Sequence, residues 1–181
     1  MIKHLSSLVD LAKNKIKRHI AVAAAGDYHV LKAIAKAYSE GIIEPILVGD
    51  KIVIDKIANE IDFDIKNIEV IDAVDAYEAS LIASKLTGEG KAEIIMKGLV
   101  SSGLFLKAVL NKEFGLRTGS LLSHIALFET PYYHKLLGVT DAAMNVDPDL
   151  EEKIDIIKNA VAVFHGLGNK NPKVAILGSV E

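Results

Sequence analysis

The chain has 181 residues, half of them hydrophobic and 25% charged. As a prior that length holds one domain, or one domain with part of another, at roughly 100–200 residues each. The composition supplies a packed core and argues against disorder. Lys and Arg number 21 against 24 Asp and Glu, a net charge of -3, so no global basic field exists to hold a nucleic-acid backbone. With no cysteine, disulfides, thiolate metal sites and a cysteine nucleophile are excluded.

No stretch reaches the ~18 uninterrupted apolar residues of a spanning helix. The opening Met1-Ile2-Lys3-His4-Leu5-Ser6-Ser7 is broken by polar residues before a signal-peptide core develops. A soluble, cytoplasmic protein without membrane contact is therefore expected. Leu5, Leu8, Val9, Ala12 and Ile16 share one face of a first helix. The small-residue run 20–25 reads as a strand ending at Gly26-Asp27, where a helix carrying Val30, Leu31, Ile34 and Ala35 starts; Gly41 closes it. A strand at 45–49 follows. Asp50 caps a helix with Ile54, Ile57 and Ala58, and 68–71 is the next strand.

A helix over 75–86 leads to a strand at 92–96, and Ser102 caps a helix that groups Leu106, Val109 and Leu110. Strands at 125–128 and 136–139 are joined by a short, hairpin-like connection. A long helix over 149–166 then precedes an apolar strand, Val174 to Leu177. Strand–helix alternation with apolar strands means an α/β fold whose mostly parallel sheet is covered on both faces. An apolar final strand with nothing after it to cover it is expected to seek a partner, which points to a homo-oligomer.

In such sheets ligands bind beyond the carboxyl ends of the strands. Gly26-Asp27-Tyr28-His29 fits neither a dinucleotide fingerprint nor a Walker loop and reads as a strand-to-helix turn. Lys97-Gly98-Leu99-Val100-Ser101-Ser102-Gly103 sets a lysine, glycines and hydroxyls before a helix. It reads equally as an anion site or as a turn capped by Ser102. Arg117, with Thr118 and Ser123, is either a surface charge or a phosphate clamp.

Ser123 and His124 are adjacent. On a strand they face opposite ways, which argues against a serine–histidine hydrolase. Asp147 as N-cap and Pro148 at the first helical position explain the start of the long helix, whereas Asp141 and Asn145, at a strand end, remain candidates for binding. The histidines lack metal-ligand spacing, so no metal site is expected.

Lys97-Gly98-Leu99-Val100, Leu116-Arg117-Thr118-Gly119 with Leu122-Ser123-His124, and Thr140-Asp141-Ala142-Ala143-Met144-Asn145 follow one another in order. Together with Leu150 to Lys153, Asn159 to Val161 and Asn171 to Ala175, they strongly resemble the phosphate acetyl/butyryltransferase family. The resemblance runs over essentially the whole chain. It implies an isopropylmalate-dehydrogenase-like α/β/α sandwich with a first α/β domain over 1–146. Residues 147–181 would then be a long helix and strand leading into a second domain that is largely missing.

The resemblance further implies interconversion of acyl-CoA plus phosphate with acyl phosphate plus CoA, without metal or cofactor, CoA and phosphate being substrates. Lys97, Gly98, Ser102, Arg117, Ser123, Asp141 and Asn145 would bind phosphate or CoA. The family's catalytic base would lie beyond Glu181, with Asp141 as the fallback. Family members often carry His where Ser101 stands and Arg where Ser120 stands. The alternative is a noncatalytic fragment that retains anion or CoA binding, or serves as an assembly surface. A metal- and NAD-dependent dehydrogenase on this architecture lacks the aspartate cluster it would need.

Overall fold

The structure is a computed structural model that describes residues 2, 4–113 and 116–178. The last three residues, expected at the tip of a strand, lie outside the described residues. In chain order the elements are α1 (Leu5–Lys13), β1 (Arg18–Ala23), α2 (Tyr28–Ser39), β2 (Ile43–Gly49), α3 (Lys51–Glu60), β3 (Glu69–Asp72) and α4 (Ala76–Gly88). They continue as β4 (Ile94–Lys97), α5 (Ser102–Val109), β5 (Ala126–Phe128), β6 (Leu137–Val139) and α6 (Leu150–Gly166). The chain divides into two compact units, residues 12–118 and residues 1–11 with 119–181.

In the unit 12–118, four parallel strands run in the order β3-β2-β1-β4. Side chains alternate across the central strand, as the two-residue repeat of a strand requires. Ile20 and Val22 join Leu31 and Ile34 of α2 and Ile54 of α3 in one apolar cluster. Ala21 and Ala23 join Ala79 and Ala83 of α4, with Val100, in the other. The sheet is thus covered on both faces, which gives three layers. Each fully buried Leu or Ile contributes about 1.5–3 kcal/mol relative to exposure.

Small residues set the spacing under α4. Ser80 and Ser84 are wholly buried there, and each hydroxyl is satisfied on its own helix by the carbonyl of Ala76 and of Ser80. Asp27, Asp50 and Asp75 cap α2, α3 and α4, each carboxylate accepting two backbone N–H groups of the first turn. Gly41, at φ +73°, ends α2 with paired bonds from its own N–H to the Tyr38 carbonyl and from Ile42 N–H to the Ala37 carbonyl.

In the other unit, β5 and β6 pair antiparallel, as the hairpin-like connection predicts, with Ala126 opposite Val139. Gly138 lets the Phe164 ring of α6 lie against this ribbon, because a Cβ there would meet the ring Cζ at 2.8 Å. The expected boundary at 146/147 falls inside this unit, between β6 and the helix whose ring packs on it.

Two expectations change. Residues 174–177 form no strand, and Val174, Ile176 and Leu177 are 51%, 77% and 91% exposed. An apolar run becomes a strand only against a neighbour, and among the described residues it has none. The long helix is capped by Asp149, not Asp147. Its carboxylate accepts from Glu152 N–H at 2.9 Å while the Glu152 side chain accepts from Asp149 N–H at 3.0 Å, a reciprocal pair that Asp147 is two residues too early to make.

Candidate functional site

Within residues 12–118, the loop after β4 is held tightly to β1. Gly98 N–H donates to the Ala23 carbonyl at 2.8 Å and Leu99 N–H to the Ala24 carbonyl at 3.0 Å. A side chain at Gly98 is impossible without rearrangement, since a Cβ would run into the Ala24 carbonyl oxygen and lie 2.6 Å from that of Ala23. Lys97 ends β4, and its Nζ curls back to donate to the Val100 carbonyl at 2.8 Å. Ser101, not Ser102, caps α5, its Oγ accepting from Leu104 N–H at 3.3 Å. Two adjacent serines offered the same cap chemistry, and the earlier one lies where the backbone is still extended.

Ser102 therefore opens α5 with an exposed side chain. Its N–H and that of Gly103 take no acceptor among the described residues. Lys97, Gly98 and Ser102 share this one strand-to-helix turn. Arg117, also in this unit, is exposed and pairs with no carboxylate among the described residues.

The remaining candidates belong to the other unit and form one polar network. Asp141, two residues after β6, accepts from the N–H groups of His124 at 3.2 Å and of Ala143 and Met144, each at 3.0 Å, and from Asn145 Nδ2 at 2.6 Å. Asn145 Nδ2 also donates to the Leu122 carbonyl at 3.1 Å, and the Thr140 hydroxyl donates to the His124 carbonyl. Desolvation pushes the Asp141 carboxyl up, but the three backbone donors and the Asn145 amide outweigh it and hold the group down at about 2. So stable a carboxylate is a poor proton acceptor near neutral pH, and its lone pairs are occupied. These bonds tie the Asp141 carboxylate to the main chain at His124, Ala143 and Met144 and to the Asn145 amide.

Ser123 is held from α6. Asn159 Nδ2 donates to Ser123 Oγ and to the Leu121 carbonyl, both at 2.9 Å, and Asp155 accepts from Leu121 N–H at 3.3 Å. Residues 121–124 are irregular rather than a strand, so the strand-based argument that separated Ser123 from His124 does not apply. They stay uncoupled for another reason: the Ser123 hydroxyl faces Asn159, while His124 Nδ1 is buried without a hydrogen-bond partner among the described residues. Asp155 and Asn159 were missed from the sequence. Their signal is a polar pair one turn apart, flanking Ile156 and Ala160 on the buried side of α6.

Residues 12–118 thus form a three-layer α/β unit with a lysine–glycine turn and a helix N-terminus at the carboxyl end of β4. Residues 4–80 and 74–181 match the phosphate acetyl/butaryl transferase family, and the chain belongs to it. It is 45% identical to a phosphate butyryltransferase from Clostridium acetobutylicum over all 181 residues, spanning 60% of that protein. It is 36% identical to a phosphate acetyltransferase from Thermotoga maritima over 98% of this chain and 60% of the other.

Among solved structures, a branched-chain phosphotransacylase from Enterococcus faecalis aligns with a TM-score of 0.68 at 28% identity, over 83% of this chain and 52% of that one. A phosphotransacetylase from Streptococcus pyogenes, at 16% identity, shares the fold with a TM-score of 0.72 over 90% of this chain and 60% of that one. No helix among the described residues is long and apolar enough to cross a membrane.

Proposed function

We propose that the chain forms part of a phosphate acyltransferase of the butyryl type. In this reaction a phosphate oxygen attacks the thioester carbonyl of an acyl-CoA, the C–S bond breaks, and CoA thiol and acyl phosphate are the products; the reverse reaction is attack of the thiolate on the acyl phosphate. The observation that carries this reading is the 45% identity with a phosphate butyryltransferase along the entire chain. In the unit 12–118, Lys97, Arg117, the Ser102 hydroxyl and the open N–H groups of α5 are the groups that offset phosphate charge. In the other unit, Ser123 supplies a hydroxyl donor for phosphate or for the carbonyl as it becomes an oxyanion. Asp141 and Asn145 serve the site by holding the main chain on either side of Ser123.

No enzyme nucleophile and no cofactor is needed, because orientation of two bound substrates does much of the work. The partners are acyl-CoA, CoA and inorganic phosphate, in the cytoplasm. The reading includes a homo-oligomer. A second reading is anion and CoA binding without turnover, supported by the engagement of the Asp141 carboxylate by four donors.

The test is phosphate-dependent thiol release from butyryl-CoA by the 181-residue chain, alongside calorimetric titration of phosphate and of CoA. Thiol release establishes the first reading. Binding of both ligands without release establishes the second. Absence of binding to either ligand removes both.

A further inference from the structure

We infer that Asn159 is a positioning residue that turns the Ser123 hydroxyl proton away from α6 and toward a bound phosphate. This rests on the reading above that Ser123 is a donor to phosphate, and it deepens that reading by assigning what sets the donor's direction.

The identity of the Asn159 amide atoms follows from chemistry. The atom facing Ser123 Oγ is the same atom that faces the Leu121 carbonyl, 2.9 Å from each. A carbonyl only accepts, so that atom is the amide nitrogen, and its two protons go one to each oxygen. Ser123 Oγ is therefore an acceptor in this contact. Its single proton is not spent on Asn159, and among the described residues no acceptor takes it.

The backbone that carries the hydroxyl is fixed on both sides. Asp155 and Asn159 grip the N–H and carbonyl of Leu121, Asn145 holds the carbonyl of Leu122, and Asp141 and Thr140 hold the N–H and carbonyl of His124. What remains adjustable is rotation about the Ser123 Cβ–Oγ bond, and the Asn159 amide sets it. An aspartate at 159 would accept that proton instead, reversing the bond and removing the donor.

The experiment is titration of inorganic phosphate onto the 181-residue chain, with Ser123→Ala, Asn159→Ala, Asn159→Asp and the Ser123→Ala/Asn159→Ala double variant measured in parallel. Thermal denaturation of each variant is recorded beside it. Asn159→Ala should weaken phosphate binding about tenfold, and the isosteric Asn159→Asp by more, since it captures the proton and adds a like charge. In the Ser123→Ala background, Asn159→Ala should change affinity by less than about twofold, because the group it orients is gone.

A merely structural role would lower affinity equally in both backgrounds, and that result overturns the inference. So does phosphate affinity of Asn159→Asp equal to that of the unaltered chain; this variant decides the matter if Asn159→Ala does not fold. If the unaltered chain binds no phosphate, the functional reading falls as well. If it binds phosphate and the Asn159 variants bind equally well, only the inference about Asn159 falls.

Discussion

The two units position their candidate residues by different physics. Residues 12–118 hold the Lys97–Gly98 turn by main-chain bonds to the end of β1 and by close steric fit at one end of a four-stranded sheet. Among its described residues the other unit has two three-residue strands, and it holds residues 121–124 by side-chain amides, carboxylates and a hydroxyl bonded to backbone. A turn defined by packing tolerates changes of charge and salt but no added atom. A loop defined by carboxylate hydrogen bonds tolerates small changes of volume but responds to protonation.

The largest effect that sharpens this contrast is expected at Gly98. Gly98→Val drives a branched side chain into the Ala23 and Ala24 carbonyls and should cost about 4 kcal/mol, read as a fall in the urea midpoint with an unchanged slope. A loss below about 1 kcal/mol would mean that the turn is not sterically defined.

Asp141→Ala should cost about 3 kcal/mol by leaving four donors without their acceptor. Its pH signature is distinct. The carboxyl titrates at about 2 in the folded chain, below its ordinary 3.8. Its stabilisation is therefore complete above about 4 and drains away as pH falls toward 2, where the folded form also takes up the proton. Asp141→Asn should flatten the stability profile in that window, while Gly98→Val should leave the shape unchanged. An identical acid profile in Asp141→Asn would remove the carboxylate from the network.

At Arg117 the split is between binding and folding. Arg117→Ala should shift the melting midpoint little, since the guanidinium is exposed and pairs with no described carboxylate, yet weaken phosphate or CoA binding by about 2 kcal/mol. Calorimetry giving unchanged affinity for both ligands would take Arg117 out of the site. The smallest effect concerns the α5 cap. Ser101→Ala should cost about 1 kcal/mol of stability and Ser102→Ala less than about 0.5 kcal/mol, a difference readable in denaturant midpoints.

The same contrast governs what was legible in the sequence. The three-layer unit announced itself because fully buried parallel strands must be apolar along their whole length and helices must show a stripe. Val22, Leu47 and Ile54 lie where those rules put them. The Asp50 cap follows from local chemistry and was equally readable, and the caps at Asp27 and Asp75 obey the same rule. At 174–177 the apolar pattern was real, but strand formation depends on a neighbour that local pattern does not supply.

The cap of α6 was displaced because Pro148 suits a first helical turn, whereas the Asp149–Glu152 spacing carries the reciprocal bond. Of the site, Lys97, Gly98 and Ser102 were placed together by the chain itself. The ties from Asp155 and Asn159 to Leu121 and Ser123 span more than thirty residues, and no local periodicity marks a polar helix residue as buried and bonded rather than solvated.

The curl of Lys97 onto the Val100 carbonyl changes what kind of ligand-binding group this lysine is. A free lysine on a surface samples many rotamers and surrenders up to about 2 kcal/mol of side-chain entropy when it captures an anion. Here the four-methylene stem is already folded over the turn, with the ammonium donating to the Val100 carbonyl at 2.8 Å and more weakly to the Gly98 carbonyl at 3.4 Å. One proton remains without a carbonyl acceptor, its direction set by the two bonds already made. An anion meeting this lysine finds its orientation largely decided, so less freedom is lost at the moment of capture and more of the attraction survives as affinity. An arginine at this position carries the same charge in a planar fork, which does not match the point-like ammonium that reaches both Val100 and Gly98.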